Sequence, residues 1–332
     1  MAASASTATV SHVLNGSRFV STLTKKRVED AIRSLNYRPH GVARSLRRSR
    51  TGTIGVMISD IANPFFADLV LGVEDVVHRD PGRYNFILCN TEEDLDKERM
   101  YLDVLQQKRI DGLIIAPAGG NADAINDLMN ERLPLVFVDR ELVGVEADTI
   151  VVDNRAAART VVRHLIGLGH RRIAILRARL TANSIDDRVN GYVDALDEAG
   201  IALEPSDQAE SASNVDDACL VATSLLKASK RPEAIFCTNN FMTLGAMRAI
   251  VELGLRCPAD VAVAGIDDLP WMAGFWPRLT VVAQPGRAMG REAARLLLDR
   301  IAKRRTDAPV RMVLSTELHV RDSCGANNRR DI

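Results

Sequence analysis

From residue 53 onward, short apolar runs alternate with longer segments whose apolar residues recur at helical spacing. The apolar runs are TIGVMI, YNFILC, GLIIAPA, PLVFVD, TIVVD, RIAILR, EAIFCT, VAVAGID and LTVVAQ. The helical segments lie near residues 65–80, 94–108, 120–131, 155–168, 187–199, 215–228, 241–253 and 286–304. Strands alternating with helices predict parallel sheets with helices on both faces, and about ten strands are too many for one compact sheet. The pattern therefore predicts an α/β protein with two sheets.

The residues before this region predict a small all-α unit. Ser6 to Asn15 forms a short apolar stripe that Ser6 can cap, and Gly16 ends it. Thr22 to Leu35 predicts a second helix with one inward face, formed by Leu23, Val28, Ala31, Ile32 and Leu35. Two short helices of which the second is basic are typical of a helix-turn-helix unit that enters the major groove of DNA. Ordinary helical hairpins show a similar pattern.

Between the two regions lies RPHGVARSLRRSR, residues 38–50. Pro39 suits a first helical turn, but so short a helix is unstable alone in water. We expect it to form when nucleic acid holds it, with Leu46 as a wedge that unstacks a base step in the minor groove. A solvated linker with ordinary arginines is the alternative.

Charge divides along the chain, although the formal net charge is zero. Residues 1–50 carry ten Lys/Arg and two acidic residues, which is a net positive charge. The rest of the chain therefore carries an equal net negative charge. This asymmetry indicates a nucleic-acid-binding end joined to an acidic globular body. Five scattered cysteines without metal-ligand spacing indicate reduced thiols in a cytosolic protein, with no metal and no cofactor. We expect neither a signal peptide nor a membrane span.

Polar and aromatic residues follow the predicted strands, where parallel α/β sheets bind their ligands. They are Asp60, Asn63, Phe65, Phe66, Asp139, Arg140, Asp153, Asn239, Asn240, Asp267, Asp268 and Trp271, with Arg188 opening a helix. Carboxylate, amide and guanidinium groups each hold two hydroxyls, and an aromatic face covers an apolar ring face, so a polyhydroxylated ligand fits. Helix capping alone is the alternative for Asp153, Asn239 and Asn240. An enzyme is not expected, because G-x-G-x-x-G and a Ser/His/Asp arrangement are both missing.

Several of these segments, in this order, carry a resemblance to a known family. They include TATVSHVLNG, NYRPHGVARSLR, TGTIGVMISDIANPFFADLVLGVED, KRIDGLIIAPA, VVDNRAAARTVVRHLIGLGHRRIAIL, DDRVNGYVDAL, IFCTNNFMTLGAMRAI, VAVAGIDDLPW and LTVVAQP. The chain resembles the lactose-repressor/galactose-repressor (LacI/GalR) family of bacterial transcription regulators over nearly its whole length. The resemblance implies a helix-turn-helix head and two Rossmann-like parallel-sheet subdomains of the periplasmic-binding-protein type.

The resemblance also implies the domain boundaries. The head spans residues 1–37, a hinge helix and linker 38–51, the effector-binding core 52–325 and a tail 326–332. Within the core, the N-subdomain covers about 52–153 plus 285–315, and the C-subdomain about 154–284 plus 316–325. In this family a further helix normally precedes STATVS, so we expect the first head helix to be missing here. Either the chain starts too far downstream, or the head is vestigial.

Site residues and partners follow from motif position. The DNA-binding residues implied are Ser6, Thr7, Ala8, Ser11, His12, Ser21, Thr24, Arg44, Leu46 and Arg47. The effector contacts implied are Phe65, Asp153, Arg188, Asn239, Asp267, Trp271 and Gln284. The expected protein is a cytoplasmic, nucleoid-associated homodimer that represses transcription from a pseudo-palindromic operator. A small sugar or sugar acid would act as inducer or corepressor, and the alternative is a sugar-binding dimer that no longer binds DNA.

Overall fold

The computed structural model describes residues 5–15, 18–35, 50–80, 82, 84–179 and 182–326, with the backbone alone at residues 7, 11, 14 and 15. The chain divides into two compact units, Met1–Thr51 and Gly52–Ile332, which we call the head and the core. The predicted hinge residues Arg44, Leu46 and Arg47 lie outside the described residues.

The described part of the head contains helices α1 (Thr7–Asn15) and α2 (Thr22–Ser34). Ser6 Oγ accepts a hydrogen bond from Thr9 N at 3.1 Å, which confirms the predicted cap. Val28 is buried, as the pattern predicts, but Leu23 and Leu35 are 78% and 62% exposed, so their inward placement was wrong. Leu23 lies roughly 140° around the helix from Val28, and Leu35 follows the last helical turn.

The core alternates strands and helices along its length. Its elements are β1 (Thr53–Ile58), α3 (Pro64–Val77), β2 (Asn85–Asn90), α4 (Leu95–Gln107), β3 (Leu113–Ile115), α5 (Ala122–Asn130), β4 (Leu135–Val138), β5 (Asp148–Val152), α6 (Asn154–Gly167), β6 (Ile173–Ala178), α7 (Asn183–Glu198), β7 (Gln208–Ser211), α8 (Val215–Lys227), β8 (Ala234–Cys237), α9 (Asn240–Glu252), β9 (Ala262–Ile266), β10 (Thr280–Ala283), α10 (Gly286–Ile301), β11 (Arg311–Leu314) and β12 (Glu317–His319).

Two six-stranded sheets organise these elements into two lobes. The first lobe has the strand order β11-β5-β4-β3-β1-β2, and every pairing is parallel. The second lobe has the order β12-β10-β9-β8-β6-β7, in which the β10–β12 pairing is antiparallel. The chain crosses between the sheets after β5, after β10 and after β11. This architecture confirms the predicted α/β fold class.

Both faces of each sheet are buried because adjacent strand residues point to opposite sides. In β1, Val56 packs with α3 and α10, whereas its neighbour Met57 packs with α4 and α5. In β8, Phe236 packs with α6 and α7, whereas Ile235 packs with α8 and α9. Continuous apolar runs are therefore the sequence pattern that these strands need.

Three edge strands, β7, β11 and β12, were not predicted from the sequence. β7 is QAES and β11 is RMVL, and both leave polar or charged residues exposed at a sheet edge, while β12 has three residues. The start of α7 was also misplaced, because the helix begins at Asn183 rather than near residue 187. Short or polar edge strands give little period-2 signal, so apolar runs alone do not locate them.

Close helix pairs in each lobe depend on glycine. A Cβ at Gly290 of α10 would lie 2.0 Å from the carbonyl oxygen of Leu69 in α3. A Cβ at Gly191 of α7 would lie 2.2 Å from the carbonyl oxygen of Arg155 in α6. Since backbone oxygens cannot move away without shifting a helix, these two positions fix the distance between the paired helices.

We predict that Gly290→Ala destabilises the core by about 1–3 kcal/mol, because overpacking outweighs the gain of roughly 1 kcal/mol in helix propensity. Gly167→Ala is the matched control, since a Cβ there meets nothing within 4 Å. Urea unfolding followed by far-UV circular dichroism measures both variants. Equal or increased stability of Gly290→Ala would contradict the packing account.

Candidate functional site

A cavity of about 220 Å³ lies where strand ends of both sheets face each other. The first lobe contributes residues that follow β1, β2 and β4, namely Asp60, Asn63, Phe65, Phe66, Glu92, Glu93, Asp139 and Arg140. The second lobe contributes residues from several strand ends and helix starts, namely Ser184, Ile185, Arg188, Ser213, Asn239, Phe241, Asp267 and Gln284. Twelve of these sixteen residues are polar or charged, and aromatic side chains lie on both sides.

Asp267 places a buried carboxylate in this cavity. It follows β9 with φ of 79°, a left-handed conformation that costs a non-glycine residue about 1–3 kcal/mol. Its carboxylate accepts hydrogen bonds from Gln284 Nε2 at 2.6 Å and from Asn240 Nδ2 at 3.2 Å. Burial raises the pKa of Asp267, although Arg188 and the hydrogen bond from Gln284 oppose the shift. The fold therefore maintains a costly carboxylate here.

Arg188 supplies a buried cation to the same cavity. Its Nε donates to Asn154 Oδ1 at 2.8 Å, and its Nη1 donates to the carbonyl oxygen of Thr238 at 2.7 Å. Both partners are neutral, so burial lowers the pKa of Arg188 despite the nearby charge of Asp267. A ligand that accepts a hydrogen bond from the guanidinium and donates one to Asp267 would favour both charged forms.

One hydrogen bond joins the two lobes at the cavity. Asn240 Nδ2 donates to Asn63 Oδ1 at 2.7 Å, and the same oxygen accepts from Phe65 N at the start of α3. Asn240 also donates to Asp267, so the first lobe and the carboxylate are linked through one amide. The position of Asp267 therefore depends on how the lobes meet.

The first-lobe wall holds a second ion cluster around Arg140. The guanidinium binds Glu93 through two hydrogen bonds of 2.7 and 3.2 Å, and its Nε donates to Asp139 at 3.1 Å. Burial lowers the pKa of Arg140, but Glu93 and Asp139 outweigh it and hold the pKa above its usual value. Glu93 and Asp139 both have positive φ, a conformation that costs a non-glycine residue about 1–3 kcal/mol and persists only where the surrounding structure holds it.

Two buried polar atoms receive no hydrogen bond from any described residue. They are Gln284 Oε1 and Ser59 Oγ. Leaving a buried acceptor unsatisfied costs about 1–3 kcal/mol, so such atoms are often satisfied by a bound molecule. Gln284 is also one of the residues that line the cavity, so this unsatisfied oxygen is buried in the wall of the site.

The predicted effector residues fall into two groups. The structure brings five of them to the cavity: Phe65, Arg188, Asn239, Asp267 and Gln284. The other two, Asp153 and Trp271, are described by the structure but do not line the cavity. Asp153 caps α6 by accepting from Ala156 N at 2.8 Å, and Trp271 packs beside Leu269 and Met272. Their roles as ligand contacts stay predictions, as do those of the five.

Several lining residues were missed by the sequence argument. Glu92 and Glu93 follow β2, so the rule that found Asp60 would also have found them. Ser184 and Ile185 lie in the first turn of α7, which was expected to begin later. Ser213 follows β7, a strand that was not predicted, and Phe241 adjoins the Asn239-Asn240 pair.

Comparison with known proteins gives two family matches. Residues 51–319 match the periplasmic binding proteins and sugar binding domain of the LacI family, and residues 1–40 match the bacterial regulatory proteins of the lacI family. The chain belongs to the LacI family. A curated member, the HTH-type transcriptional repressor PurR of Aliivibrio salmonicida (strain LFI1238), is 37% identical over 300 residues, which is 90% of both chains.

Solved structures of transcription regulators share the fold. A complex of the transcriptional regulator CelR with cellobiose has a TM-score of 0.75 and 32% identity, and the match covers 97% of each chain. A putative ribose operon repressor from Burkholderia thailandensis has a TM-score of 0.74 and 34% identity. That match covers 81% of this chain and 99% of the other.

The head of this LacI-family chain shows part of the predicted DNA-binding set. Ala8 is exposed on α1, and His12 is half-buried in its last turn. Ser6 and Ser21 cap the two helices, and Thr24 Oγ1 accepts hydrogen bonds from Ser21 Oγ and Arg27 Nη2. The side chains of Thr7 and Ser11 lie outside the described residues. DNA contact by these residues stays a prediction.

In the part of the chain that the structure describes, no three or more His, Cys, Asp or Glu side chains come together in a way that could hold a metal ion. No helix within the same ranges is long and apolar enough to cross a membrane.

We predict that Asn240→Ala destabilises the core by about 1–3 kcal/mol, because Asn63 Oδ1 and the buried Asp267 carboxylate both lose a donor. Asn190→Ala, at an exposed position of α7, removes the same atoms and serves as the control. Urea unfolding of both variants measures the difference. If the two variants unfolded at the same urea concentration, the hydrogen bonds of the Asn240 side chain would not contribute to the stability of the core.

Proposed function

We propose that this protein is a DNA-binding transcriptional repressor whose core binds a small neutral sugar. The observation that carries the proposal is the union, on one LacI-family chain, of a head with two capped helices and a core with a polar cavity between its lobes. The net charge of +8 on residues 1–50 favours DNA as the partner of the head. The proposed protein binds and does not catalyse, and it acts in the cytoplasm on the nucleoid.

The head is proposed to read an operator half-site with α1. Ala8 and His12 would face base edges, while Ser6, Ser21, Thr24 and the basic residues of α2 would position the head on phosphates. We propose a homodimer, since two heads related by a two-fold axis match a pseudo-palindromic operator.

The charge balance of the cavity supports a neutral ligand over a sugar acid. Five carboxylates line it, those of Asp60, Glu92, Glu93, Asp139 and Asp267, against the guanidinium groups of Arg140 and Arg188. Arg140 already donates its hydrogen bonds to Glu93 and Asp139. Of the two guanidinium groups, this leaves Arg188 to balance the charge of an anionic ligand, which would also lie among the carboxylates of the cavity. A ligand carboxylate would meet net repulsion, whereas hydroxyl groups donate to carboxylates and accept from Arg188.

The size of the cavity and its aromatic residues support a monosaccharide. A volume of about 220 Å³ lies below the roughly 300–1,000 Å³ of sites that hold drug-sized ligands. Phe65 and Phe241 offer ring faces on the two sides, which suits the apolar face of a sugar ring. The names of two similar proteins, a putative ribose operon repressor and a regulator bound to cellobiose, agree with a sugar.

For DNA binding, we predict that the logarithm of the binding constant falls linearly with the logarithm of the salt concentration, with a slope of about −5 to −7. This value assumes six to eight phosphate contacts per dimer on a labelled fragment of the protein's own upstream region. Ala8→Glu should weaken binding by about tenfold or more, because a carboxylate facing the groove is repelled. The control Ala228→Glu places the same charge at an exposed alanine of the core and should match wild type.

Two results would count against this part of the proposal. Equal affinities of Ala8→Glu and Ala228→Glu would remove α1 from the DNA interface. Failure of the wild type to bind any fragment at low salt would favour the alternative, a sugar-binding protein that does not bind DNA.

For the effector, we predict that calorimetry detects D-ribose or D-glucose but not D-ribonate or D-gluconate. Asp267→Asn should weaken sugar binding by about tenfold at neutral pH, since hydrogen bonds to a carboxylate are stronger than those to an amide. Acidification protonates Asp267 and should therefore lower the sugar affinity of the wild type. Because the pKa of Asp267 is raised, this fall should begin at a higher pH than it would for an aspartate with an ordinary pKa. Asp267→Asn should not show the fall.

The control for this experiment is Asp197→Asn, which changes an exposed aspartate of α7. It should bind sugar as the wild type does at every pH. Binding of an acid in preference to its parent sugar would overturn the neutral-ligand proposal.

A further inference from the structure

The loop that carries Asp267 contacts a segment of the core close to the C-terminal end of the described residues. This loop, residues 267–279, joins β9 to β10 and contains both tryptophans of the protein, Trp271 and Trp276. The segment behind it, residues 317–324, begins with β12 directly after the third crossing between lobes. We call the first the tryptophan loop and the second the C-terminal strap.

Asp268 anchors the first end of the tryptophan loop to the strap. Its carboxylate accepts two hydrogen bonds from Arg321, at 2.8 and 2.6 Å, and its Oδ2 lies 2.6 Å from His319 Nδ1. The side chains of Asp268 and Arg321 are 17% and 15% exposed, so solvent screens this pair less than a surface ion pair. Burial opposes ionisation, but Arg321 and His319 hold the pKa of Asp268 below its usual value.

The strap also holds the second end of the loop. Asp322 is buried and accepts from Arg278 Nε at 2.7 Å and from Arg278 Nη2 at 3.1 Å. Arg321 Nη1 donates to the carbonyl oxygen of Leu279 at 2.8 Å. Consecutive strap residues, Arg321 and Asp322, therefore fix residues at both ends of the tryptophan loop.

Asp267 and Asp268 are neighbours with opposite surroundings. Asp267 faces the cavity from a left-handed backbone, with its N–H donating to the carbonyl oxygen of Val282 at 2.9 Å. Asp268 faces the strap and does not line the cavity. A backbone in a sparsely populated conformation persists only where its surroundings hold it, and the ion pair of the next residue is one such restraint.

We propose that Asp268 is a positioning residue for effector binding, which acts through its bonds to Arg321 and His319 to keep the Asp267 carboxylate aimed into the cavity. The inference rests on the proposed function of Asp267 as an effector contact. It assigns to the C-terminal strap a role in ligand affinity, although none of the strap residues lines the cavity.

The test compares Asp268→Ala with Asp260→Ala. Asp260 also forms a two-bond pair with an arginine, Arg256, at 3.0 and 3.1 Å, but this pair is more exposed and lies at the opposite end of β9, roughly 20 Å along the strand from Asp267. Asp268→Ala should weaken D-ribose or D-glucose binding by about tenfold, the equivalent of roughly one charge-assisted hydrogen bond. Asp260→Ala should change sugar affinity by less than about twofold.

Tryptophan fluorescence supplies a readout that does not need a sugar. In a Trp276→Phe background, Trp271 is the sole tryptophan and lies in the loop. Asp268→Ala should increase acrylamide quenching of Trp271, whereas Asp260→Ala should not. Asp268→Asn keeps the shape and one acceptor oxygen, and it should restore part of both the affinity and the shielding.

The outcomes separate the inference from the proposed function. If the wild type binds sugar and Asp268→Ala binds it equally well, with both proteins folded in urea controls, the positioning role is wrong. If the wild type binds neither sugar, the proposed function fails, and the quenching decides the inference alone. Unchanged quenching in Asp268→Ala would then overturn it.

Discussion

The carboxylate of Asp267 is buried at the point where the two lobes meet, and its stabilisation involves both of them. Gln284 and Asn240 donate to it, Arg188 lies near it, and Asn240 is itself bound to Asn63 of the first lobe. A buried charge without such partners would cost several kcal/mol. Any movement of the lobes that breaks the Asn63–Asn240 bond therefore alters the surroundings of Asp267. A ligand at Asp267 shifts that movement only if it binds the two arrangements with different affinities.

The fold provides this arrangement through the carboxyl ends of parallel strands. Each sheet directs its strand ends towards the same cavity, and the helices that follow begin there. Glycines at 290 and 191 allow the paired helices of each lobe to pack closely, and three chain connections join the two lobes. Two packed lobes joined by few connections suit hinge closure around a ligand, in which a small change at the cavity becomes a change in the angle between lobes.

Much of this was predictable from the sequence, for physical reasons that also explain the failures. Apolar runs bounded by helical segments predicted the α/β fold, because strands buried on both faces have no polar positions. The strand-end rule pointed to Asn239 and Asp267, which the structure brings to the cavity. The bond between Asn63 and Asn240 was beyond reach, because it joins residues 177 positions apart and depends on side-chain geometry. The pairing of Arg140 with Glu93 is of the same kind.

We propose that ligand binding in the cavity is coupled to DNA binding by the head, and thermodynamic linkage measures this coupling directly. Operator affinity would be determined by fluorescence anisotropy with and without saturating D-ribose or D-glucose, at fixed salt. We predict that the bound sugar changes operator affinity by about 5- to 150-fold in one direction, and that bound operator changes sugar affinity by the same factor. A sugar that binds the core but leaves operator affinity unchanged would contradict the claim.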